Sequence, residues 1–138
     1  MSNELKIKKR IFFADDEKAW TDVMTALFAL RGYTQTIACN DATKVIQEAQ
    51  NYQPDILLVD LRWDKGSSGD PQILQGDHIL NEIKNRKLFP TAFVIALTQE
   101  LSTTDKAVFD GKWEGFNLIL KSSSSDQLIA DLHNLGAL

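Results

Sequence analysis

Asp15-Asp16, Asp60, Thr98 and Lys121 each stand directly after a short apolar run of the chain. The runs are Ile11 to Ala14, Asp55-Ile56-Leu57-Leu58-Val59, Ala92 to Leu97 and Asn117 to Leu120. Gathering three carboxylates in one crevice is unfavourable unless a cation joins them. A hard divalent ion is the natural companion. Mg²⁺ takes a few carboxylate oxygens, keeps several waters and completes its shell with phosphate oxygens. A carboxylate, a Mg²⁺ site, a hydroxyl and an ammonium together meet the needs of phosphoryl transfer. The carboxylate is the nucleophile and becomes an acyl phosphate. The metal and the ammonium neutralise the equatorial oxygens, and the hydroxyl donates a hydrogen bond to one of them. One strand ending in Asp, Thr or Lys usually signals only a solvated strand end; it is the combination that points to chemistry.

These residues meet only if the runs lie side by side, and the pattern between the runs provides for that. Ile11-Phe12-Phe13-Ala14 is continuous in apolar residues, as a strand covered on both faces should be. From Glu17 the period becomes helical, with Trp20, Val23, Met24, Leu27 and Leu30 in step and Gly32 as a stop. Thr34 to Ala38 reads as a short strand. Asn40 or Asp41 can cap a helix whose inner face is Val45, Ile46 and Ala49. Pro54 ends that helix, and the run from Asp55 to Val59 is the clearest strand of the chain. Leu61 to Gly76 has no periodicity and reads as a long loop. Ile79, Leu80 and Ile83 mark a helix closed before Pro90, and Ala92 to Leu97 a strand. Thr103 to Phe116 predicts an irregular helix interrupted by Gly111 and Gly115. Asn117 to Leu120 is a strand, and Ser124 to Gln127 has capping-box spacing ahead of Leu128, Ile129 and Leu132. Five strand–helix units in succession predict an α/β fold: a parallel sheet with right-handed crossovers and helices on both faces. Ligands of such sheets sit at the carboxyl ends of the strands.

The 138 residues suit one domain, with 1–8 as a lead-in and 61–76 as the extended loop. Apolar content of 43% and charged content of 25% are those of an ordinary globular chain. A net charge of −4 lends nothing to nucleic-acid binding. No apolar run approaches the ~20 residues of a membrane span, and no signal peptide follows the N-terminal cations. The expectation is a cytoplasmic protein, bound neither to nucleic acid nor to membrane. The single Cys39 agrees with a reducing compartment and reads as a buried, inert thiol.

From Lys8 to about Leu135 the chain resembles the response-regulator receiver domain. The resemblance rests on Phe13-Ala14-Asp15-Asp16-Glu17, Pro54 to Leu61, Gly76-Asp77-His78-Ile79-Leu80, Ile95-Ala96-Leu97-Thr98 and Leu118-Ile119-Leu120-Lys121. It implies a flavodoxin-like (βα)5 doubly wound fold with a five-stranded parallel sheet in the order 2-1-3-4-5. It implies that Asp60 is the phosphoacceptor, that Asp16 binds Mg²⁺ directly with Asp15 assisting, and that the backbone carbonyl of Arg62 is a further ligand. Thr98 would meet the phosphoryl group and Lys121 would pair with it; Arg62 and Glu100 stand where such domains tune the phosphoryl lifetime. The implied partners are a histidine kinase or a histidine phosphotransfer protein, and an unidentified downstream protein. The protein would catalyse only its own phosphorylation and dephosphorylation. With the last helix running almost to Leu138, it is expected to act without an output domain of its own, and a homodimer through the last helices is open.

The chain departs from that family in four places. The loop after Asp60 is longer than usual, and removing the excess restores the usual spacing from Asp60 to Thr98. Ser122 follows Lys121 where proline is usual, Leu118 replaces an aromatic residue, and Gln99 stands where a small residue is common. These changes leave the acceptor chemistry intact and bear on the output switch. The alternative is a divergent pseudo-receiver that signals by binding alone. A haloacid-dehalogenase-type phosphatase fits poorly, since its nucleophile follows the first strand in an Asp-x-Asp pattern. A flavodoxin-like cofactor binder lacks its phosphate loop. His78 and His133 read as surface histidines, Trp20 as core, and serines 122–125 as turn and cap. Trp63 either shields the site or anchors the loop. Phe109, Trp113 and Phe116 either pack on the sheet, the simpler reading, or face a partner.

Overall fold

The computed structural model describes residues 8–63, 75–99, 103–122 and 124–138. Five strands, β1 (Arg10–Ala14), β2 (Gln35–Cys39), β3 (Ile56–Asp60), β4 (Phe93–Thr98) and β5 (Asn117–Leu120), form one parallel sheet in the order β2-β1-β3-β4-β5. Helices α1 (Lys18–Leu30), α2 (Val45–Tyr52, after a 3-10 turn Ala42–Lys44), α3 (Gln75–Asn85), α4 (Thr103–Lys112) and α5 (Ser125–Asn134) alternate with them. The flavodoxin-like doubly wound architecture is thus as expected.

The continuous apolar runs are explained by two-sided burial. Every residue of β3 and all of Ile11–Ala14 are buried, whereas the outer strands β2 and β5 are only partly covered. Successive strand residues point to opposite faces. Phe12, Leu57, Val59, Val94 and Ala96 therefore meet α2, α3 and α4 through Val45, Ala49, Leu80, Ile83 and Phe109, with Trp113 just past the end of α4. Phe13, Ile56, Leu58, Ile95 and Leu97 meet α1 and α5 through Met24, Phe28, Leu128 and Leu132. Truncating a fully buried Phe12 or Phe13 to alanine would cost about 3–5 kcal/mol.

Local details settle or correct the sequence reading. The inner face of α1 is Thr21, Met24 and Phe28, while Val23 and Leu30 are 51% and 80% exposed. Edge-on contacts of Phe13 with both Trp20 and Phe28 account for that rotation. Asp41 is the residue that caps, accepting from the Thr43 N–H, and Asn40 is used elsewhere. α4 ends at Lys112, short of the expected Phe116. The stop at Gly32 holds: its φ is 94°, and the Tyr33 N–H returns to the Phe28 carbonyl. Ser124 caps α5 through the Gln127 N–H, although the Gln127 side chain turns to Asp131 rather than back to the cap. Cys39 is buried, and burial pushes its thiol up to about 11, as suits an inert side chain.

Candidate functional site at the strand ends

The register brings the chemistry-bearing residues together. Ala14 pairs with Val59, so Asp15 and Asp16 leave β1 beside Asp60 at the end of β3. Asp60 pairs with Leu97, which puts Thr98 one residue beyond the neighbour of Asp60. The Lys121 N–H donates to the Thr98 carbonyl at 2.7 Å, which brings Lys121 to the same edge. All of the expected strand-end side chains converge.

Asp15, Asp16 and Asp60 are buried, and each offers a carboxylate oxygen within 4.8 Å of the others. Asp15 Oδ1 accepts from the Glu17 N–H at 2.8 Å. Asp60 Oδ1 accepts from the Arg62 N–H at 3.2 Å. The Lys121 ammonium lies 2.8 Å from Asp15 Oδ2, 2.9 Å from Glu17 Oε1 and 3.5 Å from Asp60 Oδ2. Burial, reinforced by the charges of Asp15 and Asp16, raises the Asp60 carboxyl to about 7 despite Lys121 and the Arg62 N–H. Burial also raises Asp15, which its bonds to Lys121 and Glu17 oppose. Burial alone would push the Lys121 ammonium down, but its hydrogen bonds to Asp15 and Glu17 and the charge of Asp60 hold it well above its ordinary value. The site thus carries more negative groups than its one lysine can balance. A buried cluster of hard oxygen donors in that state is a fitting seat for a divalent cation such as Mg²⁺.

Residues outside the strand-end set hold the cluster in place. Asn40 Nδ2 donates to the Asp15 carbonyl at 2.6 Å and to Thr21 Oγ1 at 3.1 Å. Trp63 is buried in the core, and its indole N–H donates to the Asp60 carbonyl at 2.8 Å. It anchors the chain that leaves Asp60. Gly76 packs against the same segment: a Cβ there would lie 2.3 Å from the Asp60 carbonyl oxygen and 2.5 Å from Leu61 Cα. Glu17, which closes the Lys121 contacts, was visible only as the residue after the acid pair.

A cleft of about 500 Å³ opens beside the acid cluster, lined by Asp60, Arg62, Asp77, Thr98, Lys112 and Leu118 among others. Phe109 and Trp113 are buried, 3% and 4% exposed, so they pack on the sheet rather than face a partner. His78 and His133 are exposed; neither belongs to the acid cluster. Ser124 serves as a cap and Ser122 Oγ accepts the Ser124 N–H. Glu100 and most of the 61–76 loop lie outside the described residues.

The family model of the response regulator receiver domain matches residues 11–133. Among solved structures, the chain is similar to the chemotaxis response regulator CheY4 of Vibrio cholerae, at 15% identity over 94% of this chain and 98% of that one, with a TM-score of 0.74. A CheY-like receiver domain protein of Methanospirillum hungatei matches at 22% identity, 92% of each chain and a TM-score of 0.69. NtrX of Brucella abortus, solved in complex with ATP, matches at 21% identity over 91% of this chain, which spans only 26% of that one, with a TM-score of 0.69. No curated protein matches. Among the described residues, no helix is long and apolar enough to cross a membrane.

Proposed function

The chain belongs to the response regulator receiver domain family, and we propose that it accepts a phosphoryl group on Asp60 in a Mg²⁺-dependent reaction and passes the signal on through protein contacts. The observation that carries the reading is the packing of Asp60 within 4.8 Å of two more buried carboxylates, with the Lys121 ammonium 3.5 Å away.

In this reading Asp16 and Asp60 would hold the metal, with Asp15 assisting and the Arg62 carbonyl as a further ligand. When bound, Mg²⁺ supplies positive charge to the acid cluster and to the transferring phosphoryl oxygens. The Asp60 oxygen attacks phosphorus; the new O–P bond forms as the donor's P–N bond breaks and the donor imidazole leaves. A phosphohistidine on a histidine kinase or a phosphotransfer protein is the donor. Thr98 donates its hydroxyl to one phosphoryl oxygen, and Lys121 pairs with another. The raised Asp60 carboxyl must lose its proton before it can attack, which favours the metal-loaded state.

The test is Mg²⁺-dependent binding of beryllofluoride, a mimic of the phosphoryl group on carboxylate. Binding that requires Mg²⁺ and is lost in Asp60→Asn supports the proposal. No binding by the wild-type chain would leave the pseudo-receiver reading, a module that signals by contact alone.

A further inference from the structure

Ser122 follows Lys121, and serine leaves free the backbone torsion that a proline would lock. A lysine stem is also long and mobile, so an ammonium that must meet a phosphoryl oxygen needs restraint. The side chain that supplies it is Trp20, on the first turn of α1. Its indole N–H donates to the Ser122 carbonyl at 3.0 Å, across 102 positions of sequence. The same ring lies under the Lys121 ammonium, whose Nζ is 4.8 Å from the ring centroid. Trp20 is itself held edge-on by Phe13, at 5.7 Å between ring centroids and 85° between planes, and Phe13 is fully buried in the core of the sheet.

Accordingly we infer that Trp20 is a positioning residue for Lys121, fixing both the turn that follows it and the place of its ammonium. Three carboxylates, from Asp15, Glu17 and Asp60, draw the ammonium toward the acid cluster. The negative face of the indole limits its travel on the other side. The turn is fixed at two points: the Lys121 N–H on the Thr98 carbonyl and the Ser122 carbonyl on Trp20. The inference rests on the proposed role of Lys121 in phosphoryl chemistry, but the contacts of Trp20 stand apart from it.

Lys121 is proposed to touch the phosphoryl group and not the metal, so the two ligands separate a positioning role from a structural one. Affinities for Mg²⁺ alone, and for beryllofluoride at saturating Mg²⁺, are measured by calorimetry on the full chain, with thermal melts as a check of folding. Trp20→Leu removes both contacts and should weaken beryllofluoride about tenfold without weakening Mg²⁺ binding. Trp20→Phe keeps a ring but loses the N–H, and should lose about threefold. If Trp20→Leu does not fold, the Phe variant carries the test, and unchanged affinity there overturns the inference. In NMR spectra the Lys121 ε-methylene protons should be shifted upfield by the ring and should return to ordinary positions in Trp20→Leu; their absence from the upfield region in the wild type overturns the inference. Equal losses for Mg²⁺ and beryllofluoride would reduce Trp20 to packing. No beryllofluoride binding by the wild type would instead sink the reading of the site itself.

Discussion

The Lys121 ammonium sits 2.8 Å from Asp15 Oδ2, nearer than to the acceptor carboxylate at 3.5 Å. Asp15 and Glu17 therefore hold the lysine at rest, and at Asp60 burial and the charges of its acidic neighbours outweigh the lysine and the Arg62 N–H. In the proposed reaction a phosphoryl group on Asp60 would add negative charge on that side and would draw the ammonium toward it.

Removing that cation should expose the imbalance. Lys121→Ala leaves the buried Asp15 and Asp60 carboxylates without their ammonium. The metal-free protein should lose about 3 kcal/mol in urea unfolding at neutral pH, and Mg²⁺ should restore part of the loss. Phosphorylation by acetyl phosphate should slow by about 10²-fold or more. Unchanged stability would mean that the acids are already protonated without the lysine.

The pH dependence follows from Asp60, whose carboxyl is raised from 3.8 to about 7. Between those values the folded, metal-free protein holds a proton that the unfolded chain has released. Its stability should fall as pH rises through that window and level off above about 7. Asp60→Asn should flatten the profile and exceed the wild type above pH 7, by on the order of 2–4 kcal/mol. Mg²⁺ affinity should run the other way and strengthen as pH climbs through about 7, because the metal competes with that proton. Urea unfolding and Mg²⁺ titration from pH 5 to 8 check both signs.

For the metal, Asp16→Asn should weaken Mg²⁺ binding far more than Asp77→Asn. Asp77 lines the cleft beside the acceptor but pairs with Lys112 at 3.8 Å and lies outside the acid cluster. Asp64→Asn and Asp70→Asn, in the segment outside the described residues, should also leave affinity intact. Equal losses across these variants would move the site away from the strand ends.

Gly76 sets a steric test. The added methyl of Gly76→Ala meets backbone atoms of Asp60 and Leu61, within 2.8 Å of three of them, and backbone cannot swing aside. A loss of about 1–3 kcal/mol is expected, with slower phosphorylation as the acceptor is displaced. An alanine variant as stable as the wild type would show that α3 is free to shift away from β3.

The fold and the acid cluster were legible because they follow from local pattern. Ile11 to Ala14 and Ile56 to Val59 are apolar on both faces, so they had to lie in a parallel sheet covered by helices on both sides, and its strand ends had to meet. What stayed hidden depends on rotation and reach rather than on period. Val23 and Leu30 keep helical spacing, yet aromatic packing on Phe13 turned them outward. Trp63 was open between shield and anchor, because nothing in sequence spacing says that an indole will reach back to the Asp60 carbonyl. Nor does it say that Trp20 will meet residues a hundred positions away. Asn40 was legible as a polar residue at a helix start, but only the three-dimensional register sends it to Asp15.

The central claim, acceptance of a phosphoryl group by Asp60, is tested most directly by mass. The chain is incubated with acetyl phosphate and Mg²⁺, reduced with borohydride and digested, and the peptide carrying residue 60 is weighed. Acyl phosphate at Asp60 predicts homoserine at that position, a single phosphoryl gain in the intact protein beforehand, and neither in Asp60→Asn or without Mg²⁺. An intact mass that does not change, or a gain that persists in Asp60→Asn, would contradict it.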